Sequence, residues 1–174
     1  MNTQTLLSIV ADQREELLAN DYSELCPRPE ESQLDLKSNR AQVVIGVRRC
    51  GKSTLCEMFL KQKGIDFAYV NFDDDRMEDM EASDLDHLLE ALYMTYGEFK
   101  YLFLDEIQNI ESWPLFVNRL LRQKMHLFIT GSNSKLLSKE LSTHLTGRNN
   151  KVELYPFSYS EYCTMKKIDT TSLS

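Results

Sequence analysis

The stretch Val43-Val-Ile-Gly46-Val-Arg-Arg-Cys-Gly51-Lys52-Ser53 decides how the whole chain is read. Gln42 to Ile45 is apolar and β-branched, as a strand buried on both faces must be, and Leu55, Met58 and Phe59 then recur at helical spacing. Between strand and helix stands G-x-x-x-x-G-K-S. Its glycines let the backbone turn so that several N–H groups converge on one anion, and the following helix points its positive end at the same place. Lys52 adds a full charge, and the Ser53 hydroxyl is an oxygen ligand for Mg²⁺. The pattern is that of a phosphate-binding loop, with Gly46, Arg48, Arg49, Cys50, Gly51, Lys52, Ser53 and Thr54 as candidate contacts. The competing reading is a plain glycine turn.

A second segment narrows the choice. Tyr101-Leu-Phe-Leu-Asp105-Glu106 is a buried central strand with two carboxylates at its C-terminal end, the edge at which open α/β sheets bind ligands. Asp105 is placed to hold Mg²⁺ through its water shell, the Walker B role. Glu106, just past it, can orient and deprotonate a water attacking a γ-phosphate, which favours hydrolysis over transfer. The alternative is an acidic pair that only caps the next turn.

Composition sets outer limits. A chain of 174 residues with 42% hydrophobic and 27% charged side chains is one globular domain with a single core. No stretch approaches a membrane span and no basic segment precedes an apolar block at the N-terminus, so a cytoplasmic protein without a membrane partner is expected. Cys26, Cys50, Cys56 and Cys163 have no metal-ligand spacing and are expected to be reduced. The net charge of −7 resides in Asn71 to Asp86, which holds eight acids and one base; of 27 acids and 20 bases in all, 19 of each remain elsewhere. That segment is either a solvated loop and helix start or a docking surface for a basic partner.

The rest alternates helix and strand. Leu6, Val10 and Leu17 mark an N-terminal amphipathic helix ending near Asn20, and Cys26-Pro-Arg-Pro-Glu-Glu breaks it. Phe67–Phe72 reads as the second strand, and Leu85, Leu88, Leu89, Leu92 and Tyr96 as a helix begun near Ser83 or Asp84. Ser112-Trp113-Pro114 opens a helix with Phe116, Val117, Leu120 and Leu121 inward. His126 to Asn133 is a strand ending in small polar residues, Leu136, Leu137, Leu141 and Leu145 continue as helix, and Lys151–Tyr155 is the fifth strand. Such alternation predicts an α/β fold, a parallel sheet sandwiched by helices. Residues 1–38 are expected to form an N-terminal helical extension and linker, 39–162 the nucleotide domain, and 163–174 a tail or the start of a linker.

Taken together, GVRRCGKSTL, YLFLDEIQNIESW, LFITGSNSKLLS and LTGRNNKVELYPFSYSEY resemble, in order and spacing, the ATPase domain of a bacterial and archaeal AAA-type family in which a domain of unknown function usually follows. The similarity spans Asn39 to Tyr162. It implies a P-loop NTPase with a five-stranded sheet of order 5-1-4-3-2, ATP in preference to GTP, and Ser132 as the polar residue that positions the attacking water, with Asn133 the second candidate. Gly-Ser-Asn-Ser is also a good helix cap, so that reading stays open. Arg148 matches the family's Gly-Arg step and can stabilise phosphoryl charge in cis or from a neighbouring subunit, or it is a surface arginine. Arg48 and Arg49 either add positive charge at the triphosphate or contact a partner.

The expected function is Mg²⁺-dependent ATP hydrolysis by a domain that forms the front part of a longer protein or is a shortened relative, with a homo-oligomer or a protein as the expected partner. A slow nucleotide-dependent switch acting on a protein partner is the first rival, and a small-molecule kinase the second, for which an arginine-bearing lid and an acceptor pocket are not evident. Nucleic acid has weak support, from Arg119, Arg122, Lys124, Lys135 and Lys139 alone.

Overall fold

The computed structural model describes residues 1–22, 25 and 27–156, and of Leu136 only the backbone. Cys26, Cys163 and the segment 163–174 lie outside the described residues. Ten main elements follow one another: α1 (Thr3–Leu18), β1 (Ala41–Ile45), α2 (Lys52–Gln62), β2 (Ala68–Asn71), α3 (Leu85–Tyr96), β3 (Tyr101–Asp105), α4 (Trp113–Arg122), β4 (His126–Gly131), α5 (Ser134–His144) and β5 (Asn149–Glu153). The five strands are all parallel, in the order β2-β3-β4-β1-β5, which is the expected order 5-1-4-3-2 viewed from the other edge.

Strand alternation divides the core in two. Leu102, Leu104, Leu127, Ile129, Val43 and Ile45 point to the face covered by α1, α3, α4 and α5. Tyr69, Phe103, Phe128 and Val44 point to the other, where α2 supplies Leu55, Cys56, Phe59 and Leu60. Leu17 of α1 and Leu34 join that second face, which aromatic rings help to fill; Tyr69 stacks on Phe103 with centroids 5.1 Å apart, and Phe59 meets Phe128 at 5.9 Å.

The N-terminal helix belongs to this core. Leu6 and Val10 are fully buried between α3 and the sheet edge, and the buried Gln13 closes the exposed end of β2, accepting from Asn71 N–H at 2.9 Å and donating to Asn71 C=O at 3.0 Å. An edge strand thereby gains a polar partner where a further strand is absent.

Four strands differ from their expected limits: β1 gains Ala41 at its start, and β4 ends at Gly131, two residues before Asn133. β2 is shorter by one residue at each end, and β5 is shifted two residues earlier, to Asn149–Glu153, leaving Tyr155 exposed beyond it. The shift follows from pairing: Ala41 N–H donates to Arg148 C=O at 2.8 Å, and the Asn150 amide donates to Gln42 Oε1 at 2.6 Å and to Gln33 C=O at 2.8 Å. Asparagines unfavourable to a strand in isolation are held there by the neighbouring chain.

Candidate functional site

The loop between β1 and α2 turns on two residues in the left-handed region, Arg49 (φ 65°) and Gly51 (φ 97°), and α2 starts at once, with Leu55 N–H donating to Gly51 C=O at 2.9 Å. Gly46 lies between strands: its N–H donates to Gly131 C=O, and a Cβ there would stand 2.4 Å from the Leu154 carbonyl oxygen and 2.6 Å from Cys50 Sγ. Cys50 is buried and reduced, as is Cys56, whose thiol burial pushes well above its usual range. Arg48 and Arg49 are exposed, Arg48 pairing with Asp73 at 3.3 Å; Thr54 is half-buried in the first turn of α2. Lys52 is buried, its ammonium donating to Val47 C=O at 3.1 Å and standing 3.4 Å from Glu106 Oε1.

Asp105 and Glu106 leave β3 facing this loop. The Asp105 side chain is buried and takes hydrogen bonds on both oxygens: Ser53 (2.8 Å) and Thr130 donate to Oδ1, and Tyr69 donates to Oδ2 at 2.9 Å. Burial raises its carboxyl above the ordinary range against those three hydrogen bonds, which lower it. Glu106 adopts a left-handed conformation (φ 55°) and donates its N–H to Thr130 Oγ1 at 3.0 Å. Burial acts upward on its side chain too, but hydrogen bonds from Gln108 and Ser132 and the Lys52 charge outweigh it, and the carboxyl lies below its usual range.

Ser132, one residue past β4, donates to Glu106 Oε2 at 2.8 Å and so joins the cluster. Asn133 is exposed and its carbonyl accepts from Leu137 N–H at 3.0 Å in the first turn of α5. Arg148 is elsewhere: it precedes β5 beside Ala41, the first residue of β1, whereas the loop follows Ile45, the last, and its guanidinium donates to Asn118 at 3.0 Å. It stands at the opposite end of the sheet and does not join the cluster in its own chain.

Four residues enter the site without having been assigned a role from sequence. Tyr69 looked like any core aromatic, and Thr130 like a tolerated polar residue ending an apolar strand. Gln108 sat within the quoted D-E-I-Q run. Arg28, from the Cys-Pro-Arg-Pro segment, is buried and donates to Cys50 C=O at 3.2 Å and to Tyr155 C=O, holding the loop to the chain after β5.

The donor set fits a hard cation. Hydroxyl and carboxylate oxygens from Ser53 and Asp105 adjoin the lysine, as suits Mg²⁺, which keeps several waters; no group of three or more His, Cys, Asp or Glu side chains able to hold a metal occurs among the described residues. No helix among them is long and apolar enough to cross a membrane.

Comparison with known proteins bears on the family and the fold. Residues 38–163 match the family model described as an AAA domain. An uncharacterised protein of Methanocaldococcus jannaschii is 40% identical over 138 residues, 79% of this chain and 31% of its own length. One of Haemophilus influenzae is 37% identical over 139 residues, 75% of this chain and 35% of its own. The chain thus spans about a third of the length of these relatives. Among solved structures, a Walker-type ATPase of Pyrococcus abyssi shares the fold with a TM-score of 0.50 at 18% identity, over 84% of this chain and 57% of that one.

Proposed function

The chain belongs to the AAA domain family of P-loop ATPase domains, and from that premise we propose that it binds ATP with Mg²⁺ and hydrolyses it to ADP and phosphate. One observation carries this reading: at the C-terminal edge of the sheet, Ser53 at the start of α2 bonds Asp105 at the end of β3, while Lys52 pairs with Glu106 just past β3 and Ser132 just past β4 bonds the same Glu106.

In the proposed reaction the backbone N–H groups of Gly46 to Ser53 and the first turn of α2 hold the β- and γ-phosphates, and Lys52 exchanges its hydrogen bond to Val47 C=O for phosphate oxygens. Ser53 and Asp105 are the residues that would hold Mg²⁺, which would supply positive charge to offset the charge developing on the phosphate. Glu106, kept ionised by its surroundings, accepts the proton of the attacking water, and Ser132 orients it with the carboxylate. Tyr69 and Thr130 fix Asp105 so that Ser53 alone changes partner. The exposed Asn133 is the second candidate for contact with the γ-phosphate.

Two variants test the reading. Lys52→Ala removes the charge nearest the outer phosphates and is expected to weaken ATP binding at least tenfold in calorimetry. Glu106→Gln retains that affinity and loses turnover by about 10²-fold or more. Unchanged ATP affinity in Lys52→Ala would refute the nucleotide site; equal loss of binding in both would make Glu106 a ligand. Phosphate released without any acceptor separates hydrolysis from kinase chemistry.

A further inference from the structure

Only one oxygen of Glu106 faces Lys52; the other is held by a closed triangle of hydrogen bonds in which Gln108 is the hub. The Gln108 amide nitrogen donates to Glu106 Oε2 at 2.6 Å and to Ser132 Oγ at 3.2 Å, while Ser132 donates to the same Oε2 at 2.8 Å. We propose that Gln108 is a positioning residue for the hydrolysis assigned above: by holding Oε2 and the Ser132 hydroxyl together it fixes the Glu106 carboxylate in the orientation that turns Oε1 toward Lys52 and the reacting phosphate. The proposal rests on the ATPase reading.

The geometry allows only one amide orientation. Reversed, the carboxamide oxygen would meet a carboxylate oxygen at 2.6 Å. Ser132 has a single proton, which it spends on Glu106, so without Gln108 Oε2 keeps one donor in place of two and the carboxylate is held less firmly about its terminal torsion.

The local fold is built around this contact. Glu106 in the left-handed region reverses the chain into a single 3-10 turn, Ile107–Asn109, anchored by the buried Ile107 and Ile110, and that turn brings Gln108 back over its neighbour. Gly131 at the end of β4 leaves the space: a Cβ there would stand 2.9 Å from Gln108 Oε1 and 1.8 Å from Leu137 Cδ1.

Packing does not account for the residue. Gln108 Oε1 is buried and makes no hydrogen bond, a desolvation cost that leucine in the same space would not incur. What glutamine supplies and leucine cannot is the pair of donors aimed at Glu106 and Ser132.

The test is a kinetic cycle on the full chain. Gln108→Leu is expected to lower kcat about 10- to 100-fold while KM and the calorimetric ATP affinity stay within about threefold. In the Glu106→Gln background the same substitution should change single-turnover hydrolysis less than about twofold, since a residue acting through Glu106 has nothing left to position. Gln108→Met, unbranched and without donors, takes its place should the leucine variant not fold. Equal losses in both backgrounds, a KM that rises in step with the fall in kcat, or an unchanged kcat for Gln108→Leu in the chain that keeps Glu106 would overturn the positioning role. An unsubstituted chain that neither binds ATP nor releases phosphate would instead refute the ATPase reading, and the inference with it.

Discussion

A side chain at position 46 has nowhere to go, because the Leu154 carbonyl and the Cys50 sulfur already occupy the space a methyl would take. Backbone atoms cannot yield as a flexible side-chain tip can, so Gly46→Ala should cost about 1–3 kcal/mol in chemical denaturation and weaken ATP binding more than tenfold in calorimetry. A variant as stable and as tight as the parent would mean that the loop relaxes freely. The glycines, Lys52, Ser53, Asp105 and Glu106 were legible in sequence because their spacing is local: each motif is a strand and the few residues after it. Tyr69, Thr130 and Gln108 were not. Tyr69 reaches Asp105 only because β2 pairs with β3 in the register Tyr69↔Phe103 and Asn71↔Asp105, and Thr130 only because β4 lies on the other side.

Among the elements, α2 carries an unusual buried group. Glu57, one turn past Ser53, has its carboxyl pushed up to about 7 by burial, with Asn20 and Lys61 opposing. A carboxyl raised in the folded state binds its proton more tightly there, so its contribution to stability is full below the unfolded value near 4.5 and is lost as pH rises to about 7. Glu57→Gln keeps an acceptor for the Asn20 amide and removes the ionisation. Its stability should match the parent's near pH 4.5 and exceed it at pH 8 by on the order of 2 kcal/mol in urea titrations. Equal pH dependence of the two proteins would show that Glu57 ionises without penalty. The acidic segment after β2 also acquires an internal use: Asp74 accepts from Gln13 and Arg76, and Asp84 pairs with the N-terminal ammonium at 2.7 Å. Charge in sequence looked like a solvated face or a docking surface; part of it fastens α1 to the sheet.

Across the whole molecule, all strands run one way, so everything after a strand gathers at one end and everything before a strand at the other. Lys52, Asp105, Glu106 and Ser132 follow β1, β3 and β4; Arg148 precedes β5. An arginine there would meet a triphosphate if a neighbouring copy supplied it, and a finger supplied in that way is worth about 10³–10⁵ in rate in related chemistry. If it acts so, specific ATPase activity rises with protein concentration and Arg148→Ala removes the rise while leaving ATP affinity near normal. A flat dependence, unaltered in the variant, would leave Arg148 as the partner of Asn118 and nothing more. By itself the sequence determined the parallel α/β architecture and the phosphate and carboxylate motifs, because strand periodicity, glycine spacing and strand-end acids are encoded within short windows; the strand order came only with the resemblance to a family. Only the tertiary structure decided that α1 completes the core, that β5 begins at Asn149, that Arg148 stands away from its own loop, and that Tyr69, Thr130, Gln108 and Arg28 surround the site. Those are facts of register and of which end of the sheet a residue occupies, and hydrogen bonds between residues 22 to 127 positions apart leave no periodic trace along the chain.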